Sequence, residues 1–86
     1  MLHDLKISNP FFQQVIDGNK SFEIRYNRDR GFQKGDLVNL IEVDKSFICT
    51  NYTGRVQLVE ITYVSNFNQP VDQVVFSFKL IGEVIK

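Results

Sequence analysis

Apolar and polar residues alternate with a period of two along most of the chain, which is the pattern of half-buried β-strands. The alternation predicts strands at residues 2–7, 21–26, 37–43, 55–64 and 74–81. In the second of these it places Phe22, Ile24 and Tyr26 on one side, and we expect the core to take that set. Glu23 and Arg25 then face solvent or a cleft.

A helix is predicted directly after the first strand. Asn9-Pro10 is typical of a helix start, because Asn caps free backbone N–H groups and Pro fits the first helical turn. We expect the helix to run over residues 10–17 and to stop at Gly18, the residue type that most readily adopts a left-handed conformation.

The predicted order of elements, β-α-β-β-β-β over residues 1–86, describes a single α+β domain. Five strands with one early helix favour a small, partly closed β-barrel of about five mostly antiparallel strands, with the helix against one end. Closure would also protect the exposed edges of the sheet. An open α+β sandwich is the alternative, and the alternation does not separate the two.

Individual positions carry more specific expectations. We expect Tyr63 to lie in the core, because it continues an apolar face of the fourth strand, and Tyr52 to lie in a loop over residues 44–52. Thr53-Gly54 predicts a turn. His3 is expected to be partly exposed because it lies close to the N-terminus.

The residue composition fits a compartment that keeps thiols reduced. Cys49 is the sole cysteine, so no internal disulfide forms, and we expect its side chain to be at least half-buried. With one His and one Cys, a metal site of the usual spacing is not expected. No apolar run approaches the ~18 residues that cross a bilayer, and the N-terminus lacks an apolar leader. We therefore expect a cytoplasmic protein without a metal, cofactor or membrane partner.

Charge is balanced over the whole chain but not along it. The 10 Lys and Arg residues equal the 10 Asp and Glu residues, which argues against a nucleic-acid binder that relies on overall positive charge. Between residues 20 and 34, however, five cations stand against two anions. The positive charge is therefore gathered in one short segment.

The start of that segment holds residue types suited to a base or a phosphate. The predicted helix ends at Gly18 and a strand begins within three residues, so Lys20 lies on the connection. Glu23 and Arg25 leave the strand on the same face. Arg offers a planar fork of donors, Lys a point charge, and Glu an acceptor for an exocyclic amine. The alternative interpretation is an exposed ion pair on a solvated strand face.

Three further arginines and one tyrosine are candidates for the rim of such a surface. Arg28 and Arg30 lie in the loop after the second strand, where they would contact phosphates or simply face solvent. Tyr52 is the best candidate for stacking on a base, an interaction worth about 1–3 kcal/mol. Arg55 opens the fourth strand, and we expect it to line the cleft or to cap a carboxylate such as Asp36.

The G-x-K-x-F-E-x-R run at residues 18–25 resembles the signature of the ASCH domain (activating signal cointegrator homology), a branch of the PUA-like superfamily. The F-x-K-G-D turn at 32–36 and the Y-T-G-R step at 52–55 resemble a small bacterial and phage subgroup of that family without an assigned function. The resemblance spans nearly the whole chain. It implies a PUA-like β-barrel whose cleft, near the helix and the second strand, receives RNA or a modified nucleoside. On this resemblance Lys20, Glu23 and Arg25 would face the ligand.

One enzymatic branch of the superfamily also resembles this segment and hydrolyses the amide of acetylated cytidine. In that branch a Thr nucleophile follows the Lys by three residues, and a Glu lies elsewhere in the chain. Lys20 matches the Lys, but Glu23 stands in the Thr position, so the nucleophile is missing. Lys20 and Glu23 remain candidate catalytic groups for proton transfer, and the departure favours a binding module over an enzyme.

Three functions are therefore carried forward. The first is an RNA- or nucleotide-binding module that uses the cleft beside the helix–strand junction. The second is an amidohydrolase that acts on a modified nucleoside such as acetylcytidine. The third is a small accessory factor that binds another protein, which the zero net charge favours. The oligomeric state is left open by the sequence.

Overall fold

A computed structural model describes residues 1–28, 30–45 and 49–86 of the chain. Its elements are β1 (Leu2–Ser8), α1 (Asn9–Ile16), β2 (Phe22–Tyr26), β3 (Leu37–Lys45), β4 (Thr50–Ser65) and β5 (Gln73–Ile85). The predicted α+β class with one early helix is confirmed. Part of the predicted loop over 44–52, residues 46–48, lies outside the described residues. Cys49, predicted to be at least half-buried, is exposed because it lies in the connection just before β4.

The strands form one mixed sheet in the order β1-β3-β4-β5-β2. β1 runs parallel to β3 and the other three pairs are antiparallel, in agreement with the mostly antiparallel prediction. The sheet curls into a half-barrel, which lies between the two predicted architectures. Its edge strands β1 and β2 approach each other across the open side, where Arg25 of β2 donates to the Lys6 carbonyl of β1 at 2.9 Å.

The core fills the inner side of the half-barrel, and α1 packs against it. Phe12 and Val15 are the buried residues of α1. The rest of the core cluster comes mainly from the inward faces of the strands: Leu5, Ile7, Phe32, Val38, Leu40, Val59, Ile61, Val74, Phe76 and Phe78. Burial of one such side chain stabilises a protein by about 1.5–3 kcal/mol, so this cluster is the main source of stability in a chain without disulfides.

α1 begins one residue earlier than the sequence predicts. Ser8 occupies the N-cap position with extended backbone, and Asn9 is already the first helical residue, so the predicted Asn9 cap is wrong. Pro10 lies in the first turn, as expected. Gly18 follows the helix with φ of +80°, a conformation that costs little without a Cβ atom, which confirms the predicted stop.

A bulge replaces the predicted turn in β4. Thr53, Gly54 and Arg55 stand opposite the single residue Glu42 of β3, and Gly54 supplies the necessary positive φ of +95°. Thr53-Gly54 therefore kinks a continuous strand rather than reversing the chain. As a consequence Tyr52 lies on β4, not in a loop.

A second bulge in β4 moves Tyr63 out of the core. Ile61 pairs with Phe78 and Tyr63 pairs with Ser77, so Thr62 is an extra residue. Ile61 keeps its inward direction and is fully buried, whereas Tyr63 turns outward and is 65 % exposed. The predicted core position is wrong because one inserted residue reverses the alternation from that point on.

β2 is turned over relative to the prediction. Glu23 points into the half-barrel and is 7 % exposed, whereas Phe22, Ile24 and Tyr26 point outward and are 45 %, 48 % and 73 % exposed. The alternation itself is regular, but it does not say which face is inside. β2 is an edge strand beside the open side of the half-barrel, where a carboxylate finds cations as neighbours.

His3 and Asp36 form a buried pair between β1 and the turn before β3. His3 is 4 % exposed, contrary to the predicted partial exposure, because it shares the inward face of β1 with Leu5. Its Nε2 lies 2.8 Å from Asp36 Oδ2. The hydrogen bond from His3, opposed by burial and assisted by the N-terminal amino group, lowers the pKa of Asp36 below its ordinary value.

Candidate functional site

The segment singled out in the sequence lines a cleft between the two edge strands. The cleft measures about 340 Å³, and its wall consists of Lys6, Ile7, Ser8, Phe11, Glu23, Ile24, Arg25 and Lys45. A hollow of about 210 Å³ shares part of that wall and is lined by Phe11, Lys20, Phe22, Glu23 and Ile24. We call the two hollows together the β1–β2 cleft.

Glu23 lies at the centre of the β1–β2 cleft and is held by two cations. Lys20 Nζ donates to Glu23 Oε2 at 2.7 Å and to the Phe22 carbonyl at 2.7 Å. Arg25 Nη2 lies 3.2 Å from Glu23 Oε1 and donates to the Lys6 carbonyl. The fold therefore brings together the three residues that were predicted to face a ligand.

The backbone after α1 explains how Lys20 reaches Glu23. The N–H groups of Asn19 and Lys20 donate to the Gln14 carbonyl at 2.9 and 3.1 Å, which closes the helix end. The turn at Gly18 then delivers Lys20 directly in front of β2. The Lys20 and Glu23 side chains are only 18 % and 10 % exposed, so this ion pair is largely withdrawn from water.

The Glu23 carboxylate retains capacity for a ligand. An ionised carboxylate offers about four acceptor positions. Among the described residues, two donors occupy it, one from Lys20 and one from Arg25. Arg25 itself is 29 % exposed and carries further N–H groups. The cluster can therefore present both a donor and an acceptor to a molecule in the cleft.

Apolar and cationic side chains form the walls. Phe11 and Ile24 are 56 % and 48 % exposed although both are large and apolar. Lys6 and Lys45 are exposed and add positive charge from two other strands. Among the described residues, four cations line the β1–β2 cleft against the single anion Glu23, in a chain of zero net charge. The cleft is thus electropositive and partly apolar.

The two arginines of the loop after β2 go to different places. Arg30 Nη1 donates to the Asp4 carbonyl of β1 at 3.1 Å, so it lies along the same open side as Arg25. Arg28 donates through Nε and Nη2 to Asp72 Oδ2 at 3.0 and 2.6 Å, which holds it against the loop between β4 and β5. Arg30 extends the edge that Arg25 bridges, whereas the hydrogen bonds of Arg28 lead away from the cleft.

Arg55 is engaged by a buried carboxylate of β3. Its Nε and Nη2 donate to the two oxygens of Glu42, each at 2.8 Å, and the Thr53 hydroxyl also donates to Glu42. The Arg55 hydrogen bond lowers the pKa of Glu42, against the opposing effect of burial, and raises the pKa of Arg55. Arg55 therefore caps a carboxylate, but the carboxylate is Glu42 and not Asp36. A ligand contact by Arg55 stays a prediction.

Tyr52 lies near the β1–β2 cleft through Lys6. The Lys6 Nζ is 5.6 Å from the centre of the Tyr52 ring, and Tyr52 is 61 % exposed. The ring is accessible beside a cation of the cleft wall, so stacking on a base stays a prediction with a suitable location.

Several important groups were missed by sequence interpretation: Lys6, Phe11, Lys45 and Glu42. Lys6 and Lys45 come from strands that are distant in sequence, so no local pattern joins them to the motif at 18–25. Glu42 did carry a signal. It continues the inward-facing alternation of β3, and a carboxylate on a buried face requires a cation nearby.

A larger hollow of about 430 Å³ lies at the loop between β4 and β5. Its wall consists of Asn27, Asn66, Gln69, Pro70, Val71, Asp72, Gln73 and Val74. Of the described residues in that wall, the one that is charged is Asp72, an anion that is already bound to Arg28. A site for an anionic ligand is therefore better placed in the β1–β2 cleft than in the larger hollow.

Metal ligands and membrane-spanning helices can be assessed in residues 1–28, 30–45 and 49–86. Within these ranges no group of three or more His, Cys, Asp and Glu side chains is arranged to hold a metal ion. No helix in the same ranges is long and apolar enough to cross a bilayer.

Comparison with known proteins adds a family. Residues 2–78 match the family model described as "Domain of unknown function (DUF3850)". The chain is also similar to a protein of Escherichia phage P2 described as "Uncharacterized 12.9 kDa protein in GpA 3'region". The two are 27 % identical over 84 residues, which cover 98 % of this chain and 72 % of the phage protein. Because the family model spans most of the sequence, the chain belongs to the DUF3850 family of domains of unknown function.

Proposed function

We propose that the chain is a PUA-like domain of the ASCH type that binds RNA or a nucleotide in the β1–β2 cleft. The observation that carries this proposal is the Glu23 carboxylate, held between Lys20 and Arg25 at a cleft with exposed apolar walls. An ion-pair cluster that only stabilises a strand has no need of accessible apolar surface beside it.

The shape of the fold supports the PUA-like assignment. A half-barrel of five strands with one early helix, and a cleft at the junction of that helix with β2, agrees with what the ASCH resemblance implies. The motif positions have local reasons to be where they are. Gly18 makes the turn, and Lys20, Glu23 and Arg25 form one hydrogen-bonded cluster.

Different residues of the cleft would contact different parts of a nucleotide. Lys6 and Lys45 are point charges for phosphate oxygens, which position a nucleic acid without reading its sequence. The exposed Phe11 ring offers a stacking surface, worth about 1–3 kcal/mol for one base. Glu23 accepts a hydrogen bond from an N–H group on the edge of the base, and Arg25 donates to an acceptor beside it.

The amidohydrolase hypothesis has less support from the same geometry. Glu23 stands where the related enzymes have their nucleophile, and its charge is balanced by Lys20 and Arg25. That arrangement suits a hydrogen-bond acceptor better than a group that attacks an amide. Incubation with acetylcytidine separates the two hypotheses, because release of cytidine would reassign the cleft to catalysis.

The test is binding of short single- and double-stranded RNAs, measured by fluorescence anisotropy at low and moderate salt. We expect wild type to bind and its affinity to fall as salt rises, because the lysine and arginine side chains of the protein displace counterions from the phosphates. Arg25→Ala should bind about tenfold more weakly, the effect of losing one bidentate arginine contact. Absence of binding at low salt, to these RNAs and to free nucleotides alike, contradicts the proposal.

Two control variants sharpen this test. Arg28→Ala removes the same residue type and the same charge from a position whose hydrogen bonds lead to Asp72. If both variants weaken binding equally, affinity follows overall charge and the assignment to the β1–β2 cleft is wrong. Arg25→Lys keeps the charge and removes the planar fork, so it separates electrostatic attraction from directed hydrogen bonding.

A further inference from the structure

The outer face of the sheet carries an exposed apolar surface across β2, β5 and β4. In the register of the sheet, Phe22 stands beside Ser77, and Ser77 stands beside Tyr63. Tyr63 and Tyr26 are 65 % and 73 % exposed. We define the outer patch as the outward-facing residues Phe22, Ile24, Tyr26, Val75 and Tyr63; it adjoins the β1–β2 cleft, whose wall includes Phe22 and Ile24.

Two independent departures from simple alternation create the outer patch. The inversion of β2 turns three large apolar side chains outward, and the extra residue Thr62 turns Tyr63 to the same face. Neighbouring strands lie about 4.8 Å apart, so Phe22 and Tyr63 project from the same face about 10 Å apart, on either side of Ser77. Exposed apolar surface of this kind costs free energy in an isolated monomer and typically marks an interaction site.

We propose that the outer patch is the interface of a symmetric homodimer, in which the outer face of the sheet packs on the same face of a second copy. The exposed aromatic area is a substantial part of what this role needs. Full burial of an aromatic side chain covers 150–250 Å², so Phe22, Tyr26 and Tyr63 still expose roughly 350 Å² in total. That is the aromatic centre of an interface of the standard size, about 800 Å² on each partner.

The charges beside the outer patch favour a second copy of the chain, rather than an anionic polymer, as its binding partner. Lys79 and Glu60 stand opposite each other beside the outer patch, with Nζ and Oε2 4.0 Å apart. A two-fold axis would let the Lys79 of one copy approach the Glu60 of the other, which is the self-complementary arrangement of an isologous dimer. Lys20 lies 5.0 Å from the Phe22 ring, but it is paired with Glu23. The outer patch therefore lacks the surplus of cations that the β1–β2 cleft has.

Sedimentation velocity of the full chain, from low to high micromolar concentration, tests the dimer. We expect wild type to show the dimer mass at the upper end of this range. Tyr63→Asp and Tyr26→Asp should each weaken dimerisation by about tenfold or more, because each places a charge among apolar contacts at the centre of the interface. Neither residue lines the β1–β2 cleft, so RNA binding should persist in both variants.

The matched control is Tyr52→Asp, the same substitution at a 61 % exposed position on the same strand but outside the outer patch, and it should leave the dimer intact. Circular dichroism verifies that each variant is folded, and Tyr63→Ser is the milder replacement if Tyr63→Asp is not. A wild-type protein that stays monomeric overturns the proposal, as does a dimer that is indifferent to both patch variants. A monomer that loses RNA binding on Tyr63→Asp would assign this face to nucleic acid and equally overturn it.

Discussion

Two carboxylates of this fold, Glu23 and Glu42, point inward and meet an arginine, yet they are in opposite situations. Counting donors in the part of the chain that the structure describes, Glu42 is 3 % exposed and accepts three hydrogen bonds, two of them from the fork of Arg55. Glu23 is 7 % exposed and accepts two, of which the one from Arg25 is long at 3.2 Å. Burial is similar at the two positions, but saturation of the carboxylate is not.

The difference shows that burial of a charged residue does not by itself mark a site. Arg55 also donates to Gln13 of α1 at 3.1 Å, and its guanidinium lies 5.0 Å from the Phe12 ring. Arg55 thereby joins the helix to β3, and these hydrogen bonds are all made to groups within the fold. Arg25 instead bridges the open side of the half-barrel to Lys6, beside a cleft. We therefore regard Glu42 as a structural carboxylate, and the proposal that Glu23 faces a ligand rests on this difference.

The largest expected effect that tests this comparison is on stability. Arg55→Ala leaves the Glu42 carboxylate buried without its cation, and we expect a loss of about 3–5 kcal/mol in the free energy of unfolding. Arg25→Ala should cost about 1 kcal/mol or less, because Lys20 still pairs with Glu23 and the hydrogen bond that is lost, from Arg25 to Glu23, is long at 3.2 Å. Urea unfolding monitored by circular dichroism measures both.

A second change separates the lost ion pair from lost packing in the Arg55 variant. Replacement of both partners, Arg55→Met with Glu42→Leu, removes the charges together and should recover most of the stability. Equal losses in Arg55→Ala and Arg25→Ala would remove the distinction between a structural and a ligand-facing carboxylate.

The contacts of Glu23 and of Glu42 differ in how far the sequence predicts them. Lys20, Glu23 and Arg25 lie within six positions of one another on a helix–strand connection, so their meeting is a local property and was predicted correctly. The contact of Arg55 with Glu42 depends on a bulge that sets three residues against one. Alternation does not reveal such a bulge, because the pattern resumes on the other side of it.

The orientation of β2 failed for a different physical reason. Alternation divides Phe22 to Tyr26 into two faces, and the usual preference assigns the apolar face to the core. Here the strand is at the sheet edge, and Lys20 and Arg25 satisfy the inward carboxylate of Glu23. Which face is inside depends on the place of β2 in the sheet and on the Lys6 carbonyl that accepts from Arg25, whose position is set by the pairing of β1 with β3.

A second effect, of intermediate size, is the loss of stability at acidic pH. The pKa values of Glu42 and Asp36 are lowered in the folded protein, by Arg55 and by His3 respectively. The unfolded chain therefore binds more protons near pH ~4, so the stability from these pairs is complete above the ordinary carboxyl pKa of about 4 and is lost as the pH falls through the lowered values. Urea midpoints measured from neutral pH down to about pH 3 should fall steeply in wild type.

Glu42→Gln and Asp36→Asn show which carboxylate produces that acid sensitivity. Each variant is less stable at neutral pH, but its stability should depend less on pH because one titrating group with a lowered pKa is gone. A Glu42→Gln protein whose stability falls as steeply as that of wild type would mean that the Arg55 contact does not titrate with folding. The ion pair of Glu42 with Arg55 would then not be what stabilises the fold at this position.

The smallest effect comes from a third arginine–carboxylate pair, which supplies the baseline for the other two. Arg28 and Asp72 are held at 2.6 Å, but their side chains are 76 % and 36 % exposed, so solvent screens the interaction. Arg28→Ala should cost no more than about 0.5 kcal/mol in urea unfolding. The three pairs should thus rank Arg55, Arg25 and Arg28 in that order for stability, because Arg55 is the main partner of a buried carboxylate, Arg25 shares its carboxylate with Lys20, and Arg28 is exposed. RNA affinity, by contrast, should respond most to Arg25. If affinity instead follows the stability ranking, the loss of binding reports weakened folding, and Glu23 is no more a ligand site than Glu42.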